Sequence, residues 1–200
     1  MSFRENIEGY IRREARPVDK FGHQPRLYAL TRRVGEGLSY DDDVVHAAVW
    51  LHDLGVFVGH RPEELSALER WDSVKYAMDR APELLDEFGF PLLGKIDAVV
   101  EAIRTHQPGG DPVSIEGVIL RDADILEQLG AIAVLRTVCK VGRDTRFPRF
   151  TEAVANLKKA LVTLPSQIRL DSTRELARPK IAALQAFLDA VADEDHGALE

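Results

Sequence analysis

The chain has 200 residues, 45% of them hydrophobic and 30% charged, so it is long enough to bury a core and too apolar to be disordered throughout. With 33 acidic and 26 basic residues the net charge is −7, which argues against nucleic acid or an anionic membrane as a partner. The longest uncharged apolar run, Val44–Leu51, is far shorter than the roughly 20 residues of a membrane helix, and we expect no secretory signal at Met1–Arg12. The single cysteine, Cys139, excludes an intramolecular disulfide and predicts a cytoplasmic setting.

Apolar residues recur with the spacing of amphipathic helices along nearly the whole chain, which predicts an all-α protein. Ser172, with Glu175 three residues later, predicts the N-cap of the last helix, and Pro179 predicts a kink or a restart within it. No repeat or long linker interrupts the chain, so we expect a single domain over residues 1–200. The predicted helices lie at about residues 3–15, 22–36, 42–54, 66–80, 93–106, 114–139, 148–163 and 172–192.

Acidic and histidine residues stand at three places inside this apolar helical background. The doublet His52-Asp53 ends an otherwise apolar helix, where a buried carboxylate needs a cationic partner. Asp122 and Asp124 are likewise set among apolar residues, and His23 opens a helix of its own. Two imidazoles and two carboxylates form a mixed nitrogen and oxygen set, which binds borderline divalent ions and leaves positions open to water or phosphate oxygens.

These segments resemble, in order and approximate spacing, the H…HD…D signature of the HD-domain superfamily of metal-dependent phosphohydrolases. The resemblance is carried by the helix start at His23, by Ala47–Gly55 around the doublet, by Ala102–His106, and by Asp122–Leu126 followed by Leu129–Ile132. The last segment is similar to the DADxL…LGAI stretch of small bacterial members described as predicted hydrolases. The resemblance covers about residues 18–140 and implies an HD-domain helical bundle, with helices at about 148–192 as a C-terminal extension.

The resemblance also implies roles for individual residues. The metal ligands would be His23, His52, Asp53 and Asp124. An Ala-Asp-x-Leu context favours Asp124 over Asp122, which would then support the site or cap a helix. Asp53 and His106 are the predicted catalytic residues, with His106 able to contact phosphate, orient water or serve a second metal. Arg136 and His60 are the predicted substrate-binding residues.

The activity that the resemblance implies is hydrolysis of a small phosphorylated metabolite, a nucleotide above all, by attack of a metal-activated water on phosphorus. The enzyme would be a phosphomonoesterase or a nucleotide pyrophosphohydrolase, with Mn, Mg, Fe, Ni, Co or Zn as its divalent ion. Leu54-Gly55-Val56-Phe57 replaces the paired acidic residues that follow the doublet in alarmone hydrolases, and the Gly-Tyr-Pro motif of cyclic-dinucleotide phosphodiesterases is missing. Two alternatives stay open: a degenerate HD domain acting as a nucleotide- or metal-binding regulatory module, and a di-iron oxygenase. The sequence does not determine the oligomeric state.

Overall fold

The computed structural model describes residues 2–17, 20–91, 93–143 and 146–199. Within these residues the regular structure is helical and no strand occurs, which confirms the all-α prediction. None of the described helices is both long enough and apolar enough to cross a lipid bilayer. The α-helices are α1 (Phe3–Glu14), α2 (His23–Val34), α3 (Asp42–Leu51), α4 (Leu65–Glu69), α5 (Ser73–Glu87), α6 (Ile96–Thr105), α7 (Ile115–Glu127), α8 (Gly130–Val138), α9 (Phe150–Thr163) and α10 (Asp171–Glu194).

The chain divides into two compact units, Met1–Arg121 and Asp122–Glu200, and the boundary falls within α7. The predicted single-domain organisation stays a prediction. In the first unit α3 is the central helix, because it packs against α1, α2 and α6, while α6 packs in turn against α5. Every residue of α3 from Val44 to Leu51 is buried, which explains why its sequence lacks a polar face. In the second unit α8, α9 and α10 pack against one another.

Two of the predicted helices are divided in the structure. The predicted helix at 66–80 is two helices, α4 and α5, separated by a short break at residues 70–72. The predicted helix at 114–139 is also two, because Leu129 is extended and Gly130 has a φ of 79°. A side chain at Gly130 would be strained by this backbone conformation and would crowd Lys180.

The last helix also starts differently from the prediction. Its N-cap is Leu170 and its first residue is Asp171, so Ser172 lies within the first turn rather than capping it. Pro179 is accommodated inside α10, and the helix continues through it. The predicted capping box is therefore wrong, since Asp122 takes the role of satisfying the backbone at the start of this helix.

Candidate metal centre

His52 and His106 occupy equivalent positions at the ends of two helices of the first unit. His52 is the C-cap of α3, and His106 is the C-cap of α6. The Nδ1 of His52 donates to the carbonyl of Val49 at 2.8 Å, and the Nδ1 of His106 donates to the carbonyl of Ile103 at 2.6 Å. Since a carbonyl oxygen only accepts, both rings carry the Nδ1 proton when neutral, and Nε2 is the nitrogen that can bind a metal.

His23, Asp53 and His106 gather around His52. The ring centroid of His52 lies 5.3 Å from that of His23 and 4.8 Å from that of His106. One Asp53 oxygen is 3.8 Å from His52 Nε2, and the other is 3.8 Å from His23 Nε2. Ligand atoms from His52, Asp53 and His106 all lie within 4.8 Å of one another. The first unit thus brings together three of the four predicted ligands and the predicted catalytic histidine.

The turn after α3 positions the Asp53 carboxylate. Residues 54–56 form a single 3₁₀ turn that packs closely against the start of α5. The approach is so close that a Cβ atom at Gly55 would lie 2.3 Å from the carbonyl oxygen of Ser73. The carbonyl of Gly55 also accepts a 2.7 Å hydrogen bond from the Trp71 indole. Only glycine permits this close approach, so Gly55 fixes where the chain leaves the His52-Asp53 doublet.

Asp53 is held in its charged form. Burial by itself would raise the pKa of the Asp53 carboxyl, but the surrounding positive charges outweigh burial and hold this pKa well below its usual range. The imidazoles of His52, His23 and His106 are the largest of these influences, in that order. A smaller contribution comes from the amino group of Lys20. The carboxylate is therefore available as an anionic ligand throughout the neutral pH range.

These residues suit a divalent cation. Ligands of one such ion, with bonds of about 2.1 Å, lie at most about 4.2 Å apart, so the observed group needs little rearrangement to surround one. Imidazole nitrogens beside a carboxylate are the donors preferred by borderline divalent metals. The C-terminal ends of α3 and α6 also meet here, and the partial negative charge of helix C-termini favours a cation.

The two candidate aspartates of α7 belong to the second unit and have different environments. Asp122 is fully buried, and its carboxylate accepts the backbone N–H of Arg169 at 3.1 Å and of Leu170 at 2.8 Å. Through these hydrogen bonds Asp122 holds the backbone directly before α10. Asp124 is 9% exposed, and its Oδ2 accepts a 2.9 Å hydrogen bond from the side chain of Gln128. Metal ligation by Asp124 stays a prediction.

The two residues predicted to bind substrate have well-defined protein partners. His60 is hydrogen-bonded at 3.0 Å through Nδ1 to the Tyr76 hydroxyl and at 3.0 Å through Nε2 to the Glu14 carboxylate. Arg136 donates at 3.1 Å to Glu127, which is 2% exposed. None of these three partners is apparent from the sequence, because each lies at least nine residues away along the chain. Substrate binding by His60 and Arg136 stays a prediction.

Lys20, whose charge is one of the influences that lower the pKa of Asp53, precedes α2 in the chain. Its backbone N–H donates to Pro17 at 2.9 Å, and its carbonyl accepts a 2.8 Å hydrogen bond from the buried Gln24 amide when that amide is oriented to donate. The half-buried Lys20 is thereby fixed in the turn that leads into His23. In the sequence, the only feature that draws attention to Lys20 is its position three residues before His23.

The all-α fold brings histidine and carboxylate groups together where two helices end, and these groups could hold a metal ion. The sequence model of the HD-domain family matches residues 21–129, which are more than half of the chain. The chain therefore belongs to the HD-domain family. The uncharacterized protein YpgQ of Bacillus subtilis (strain 168) is 26% identical over 166 residues, which are 79% of this chain and 75% of YpgQ.

Solved structures share the fold. The crystal structure of YpgQ in complex with ADP has a TM-score of 0.74 at 22% identity, covering 98% of this chain and 96% of that one. The predicted HD-superfamily hydrolase from an uncultured Thermotogales bacterium has a TM-score of 0.65 at 21% identity, covering 94% and 90% of the two chains. At these identities the similarity establishes the architecture.

Proposed function

We propose that this protein is a phosphohydrolase that cleaves a phosphate ester or anhydride bond of a nucleotide, with His23, His52, Asp53 and Asp124 as ligands of one divalent ion. The observation that carries the proposal is the convergence of His23, His52, Asp53 and His106 in the first unit. Asp124 is assigned from the family signature and from the commitment of Asp122 to backbone N–H groups. The crystallised complex of YpgQ with ADP supports a nucleotide as the substrate class.

When bound, a divalent ion would lower the pKa of a coordinated water and neutralise negative charge on the phosphate. The protein side chains supply the remaining requirements. The hydrogen bonds from Nδ1 to Val49 and Ile103 hold the His52 and His106 rings in the tautomer that presents Nε2. The charged Asp53 carboxylate, a quarter exposed, faces these nitrogens and can also accept a hydrogen bond from a water molecule. We assign to His106 the task of orienting that water or the phosphate, or of ligating the ion.

The hydrogen bonds of His60 count against the di-iron oxygenase, whereas the regulatory module has to be tested by experiment. A di-iron oxygenase would need additional histidine or carboxylate ligands, and His60 was a candidate for one. Both ring nitrogens of His60 are hydrogen-bonded to Glu14 and Tyr76, which disfavours that reading. A regulatory module would bind nucleotide without cleaving it, and it is separated from an enzyme by the experiment below. A cytoplasmic location stays a prediction, and the proposed chemistry does not depend on it.

The test is a metal-by-substrate screen on protein stripped of metal with a chelator. The stripped protein is reloaded with each of Mn²⁺, Mg²⁺, Co²⁺, Ni²⁺, Zn²⁺ and Fe²⁺, and release of phosphate and pyrophosphate is measured from nucleoside mono-, di- and triphosphates. We expect metal-dependent release that Asp53→Asn abolishes while the helical circular dichroism spectrum is retained. Asp86→Asn is the matched control, since Asp86 is an exposed aspartate in the last turn of α5.

The outcomes distinguish the hypotheses. Nucleotide binding without any release would identify a regulatory module. Two irons per chain in metal analysis would favour the oxygenase. Release that persists in Asp53→Asn protein would contradict the proposed centre.

A further inference from the structure

A buried arginine holds the chain directly after His106. Arg121 lies in α7 and is 4% exposed, and it donates to the carbonyl oxygen of Pro108 through Nε at 3.2 Å and also through Nη2. Pro108 follows His106 by two residues. A guanidinium group loses its hydration when it is buried, so the hydrogen bonds that offset this loss have to be kept in the fold. The position of the Pro108 carbonyl is therefore closely tied to Arg121.

The segment that Arg121 holds has a sequence that does little to fix its own conformation. Residues 107–110 are Gln-Pro-Gly-Gly, in which glycine allows many backbone conformations and proline has no N–H to donate. The N–H of Gly110 donates to the carbonyl of Gln107 at 2.7 Å and closes a turn. This turn lies tightly against the end of α6, since a Cβ at Gly110 would overlap the carbonyl oxygen of Thr105. A displacement of the turn would therefore be transmitted to the last residues of α6.

The start of α7 is attached to α6, which gives Arg121 a fixed base. Ser114, directly before α7, donates to the Glu101 carboxylate of α6 at 3.2 Å and accepts the N–H of Gly117 at 3.1 Å. A Cβ at Gly117 would lie 3.1 Å from the same carboxylate. Residues four positions apart share one face of a helix, so Arg121 extends from the face of α7 that Gly117 turns toward α6.

The orientation of the His106 ring depends on this segment. His106 is the C-cap of α6, where the helix no longer supplies hydrogen-bond partners for the backbone carbonyls, and its Nδ1 donates to the carbonyl of Ile103. His52 has the same arrangement at the end of α3, but the chain after it is held by Gly55 and the Trp71 indole. The two histidine rings therefore have separate supports.

We propose that Arg121 is a positioning residue of the metal centre, which holds the Pro108 carbonyl and thereby keeps the His106 ring in the orientation that presents Nε2. The inference rests on the proposed function for its catalytic meaning, whereas the ring orientation can be measured without metal or substrate. It predicts that loss of Arg121 changes His106 and leaves His52 unchanged. A residue that only stabilised the fold would affect both histidines alike.

The experiment compares Arg121→Gln and Arg121→Lys with the wild-type protein. Long-range proton–nitrogen NMR spectra of metal-free protein, isotope-labelled on histidine, show which nitrogen of each ring carries the proton at about pH 8, where histidine is neutral. The signals of His52 and His106 are assigned by their absence from the corresponding glutamine variants. The matched control is Arg104→Gln, which removes an exposed arginine from the last turn of α6.

A second variant changes the loop while Arg121 stays in place. In Gly110→Ala the added methyl group displaces the turn from the end of α6, because it would overlap the carbonyl oxygen of Thr105. If the loop orients the His106 ring, this variant should alter His106 in the same way as Arg121→Gln. Circular dichroism shows for each variant whether the helical fold is retained.

In the wild-type protein we expect the proton on Nδ1 in both rings. Arg121→Gln and Gly110→Ala should give His106 a mixture of the two tautomers, because the ring is no longer held beside its carbonyl acceptor. His52 should keep its single tautomer in both variants. Arg104→Gln should leave both rings as they are in the wild type.

Arg121→Lys should show a smaller change of the same kind. An ammonium group can donate to the Pro108 carbonyl, but it lacks the planar, two-donor geometry of the guanidinium group. The Mn²⁺ affinity, measured by calorimetry, should fall about 10–100-fold in Arg121→Gln, as is typical when a group that orients a metal ligand is lost. The loss in Arg121→Lys should be smaller.

Two results would overturn the proposal. One is a wild-type His106 signal in both Arg121→Gln and Gly110→Ala, or in Arg121→Lys and Gly110→Ala if the glutamine variant does not fold. The other is an equal disturbance of His52 and His106 in the variants of Arg121, which would mean that Arg121 supports the fold in general. A His106 ring that depends on Arg121, in a protein without metal-dependent phosphate release, would refute the proposed function and support the positioning role. Phosphate release by a wild-type protein whose His106 ring is independent of Arg121 would refute the positioning role alone.

Discussion

The rings of His52 and His106 lie 4.8 Å apart, and each donates its Nδ1 proton to the carbonyl three residues earlier in its own helix. The two histidines therefore have the same ring orientation, with Nε2 as the nitrogen that can bind a metal. The sequence predicts a catalytic role for His106 and includes metal binding among its possible tasks. The geometry favours metal binding, because His106 shares the ligand cluster with His52 and Asp53.

Replacing His106 by glutamine tests this assignment. We expect Mn²⁺ affinity to fall about 10–100-fold, as is typical when an interaction that supports a metal site is lost. Calorimetric titration of chelator-treated protein with Mn²⁺ measures the effect. His46→Gln is the control, since His46 is buried elsewhere, beside Glu8. A His106→Gln protein that binds Mn²⁺ normally but has lost turnover would show that His106 acts on the substrate instead.

Changing Asp122 or Asp124 to asparagine should affect different properties of the protein. Asp122→Asn should lower the free energy of unfolding by about 1.5–3 kcal/mol, because its carboxylate accepts hydrogen bonds from the N–H groups of Arg169 and Leu170. Asp124→Asn should leave stability nearly unchanged and weaken Mn²⁺ binding. Urea unfolding and Mn²⁺ titration of both variants give the two quantities. The opposite pattern would make Asp122 the ligand.

His60 links the segment after the His52-Asp53 doublet to α1 and α5 through Glu14 and Tyr76. We expect His60→Ala to destabilise the protein by about 1–3 kcal/mol, since both partners lose a hydrogen bond. The KM for a nucleotide should stay within about twofold of wild type if this structural role is the main one. Thermal unfolding and steady-state kinetics report the two effects. A large rise in KM at unchanged stability would instead support the predicted substrate contact.

His46 should make stability depend on pH. Burial in the core between α1 and α3 lowers the pKa of His46, although its hydrogen bond to Glu8 acts in the opposite direction. His46 Nδ1 has no hydrogen-bond partner among the described residues, so protonation would create a buried donor without an acceptor. The unfolded chain takes up this proton near pH 6.5 and the folded chain only at lower pH, so stability falls as the pH drops below about 6.5.

The measurement compares melting temperatures at pH 7.5 and 5.5 in the presence of chelator. The decrease on acidification should be smaller for His46→Gln than for wild type, because the variant lacks the titrating ring. All other ionisable groups are the same in both proteins, so their contribution cancels in the comparison. An equal decrease in the two proteins would show that His46 does not govern this dependence.

The sequence by itself determined the helical class, most helix positions and the residue types of the candidate metal centre. Helical periodicity is a local property, so α1, α2, α3 and α9 are found close to where their apolar stripes predict them. The ligand types are likewise visible locally, because a charged doublet such as His52-Asp53 is unusual after the apolar run of α3.

Tertiary structure decided which groups these residues meet. Nothing near Asp122 in the chain reveals that it caps a segment 47 residues away, and nothing near His60 reveals its pairing with Glu14, 46 residues earlier. Such partnerships depend on long-range packing, and a polar side chain can be satisfied by many partners, so its own sequence context does not specify which one it takes.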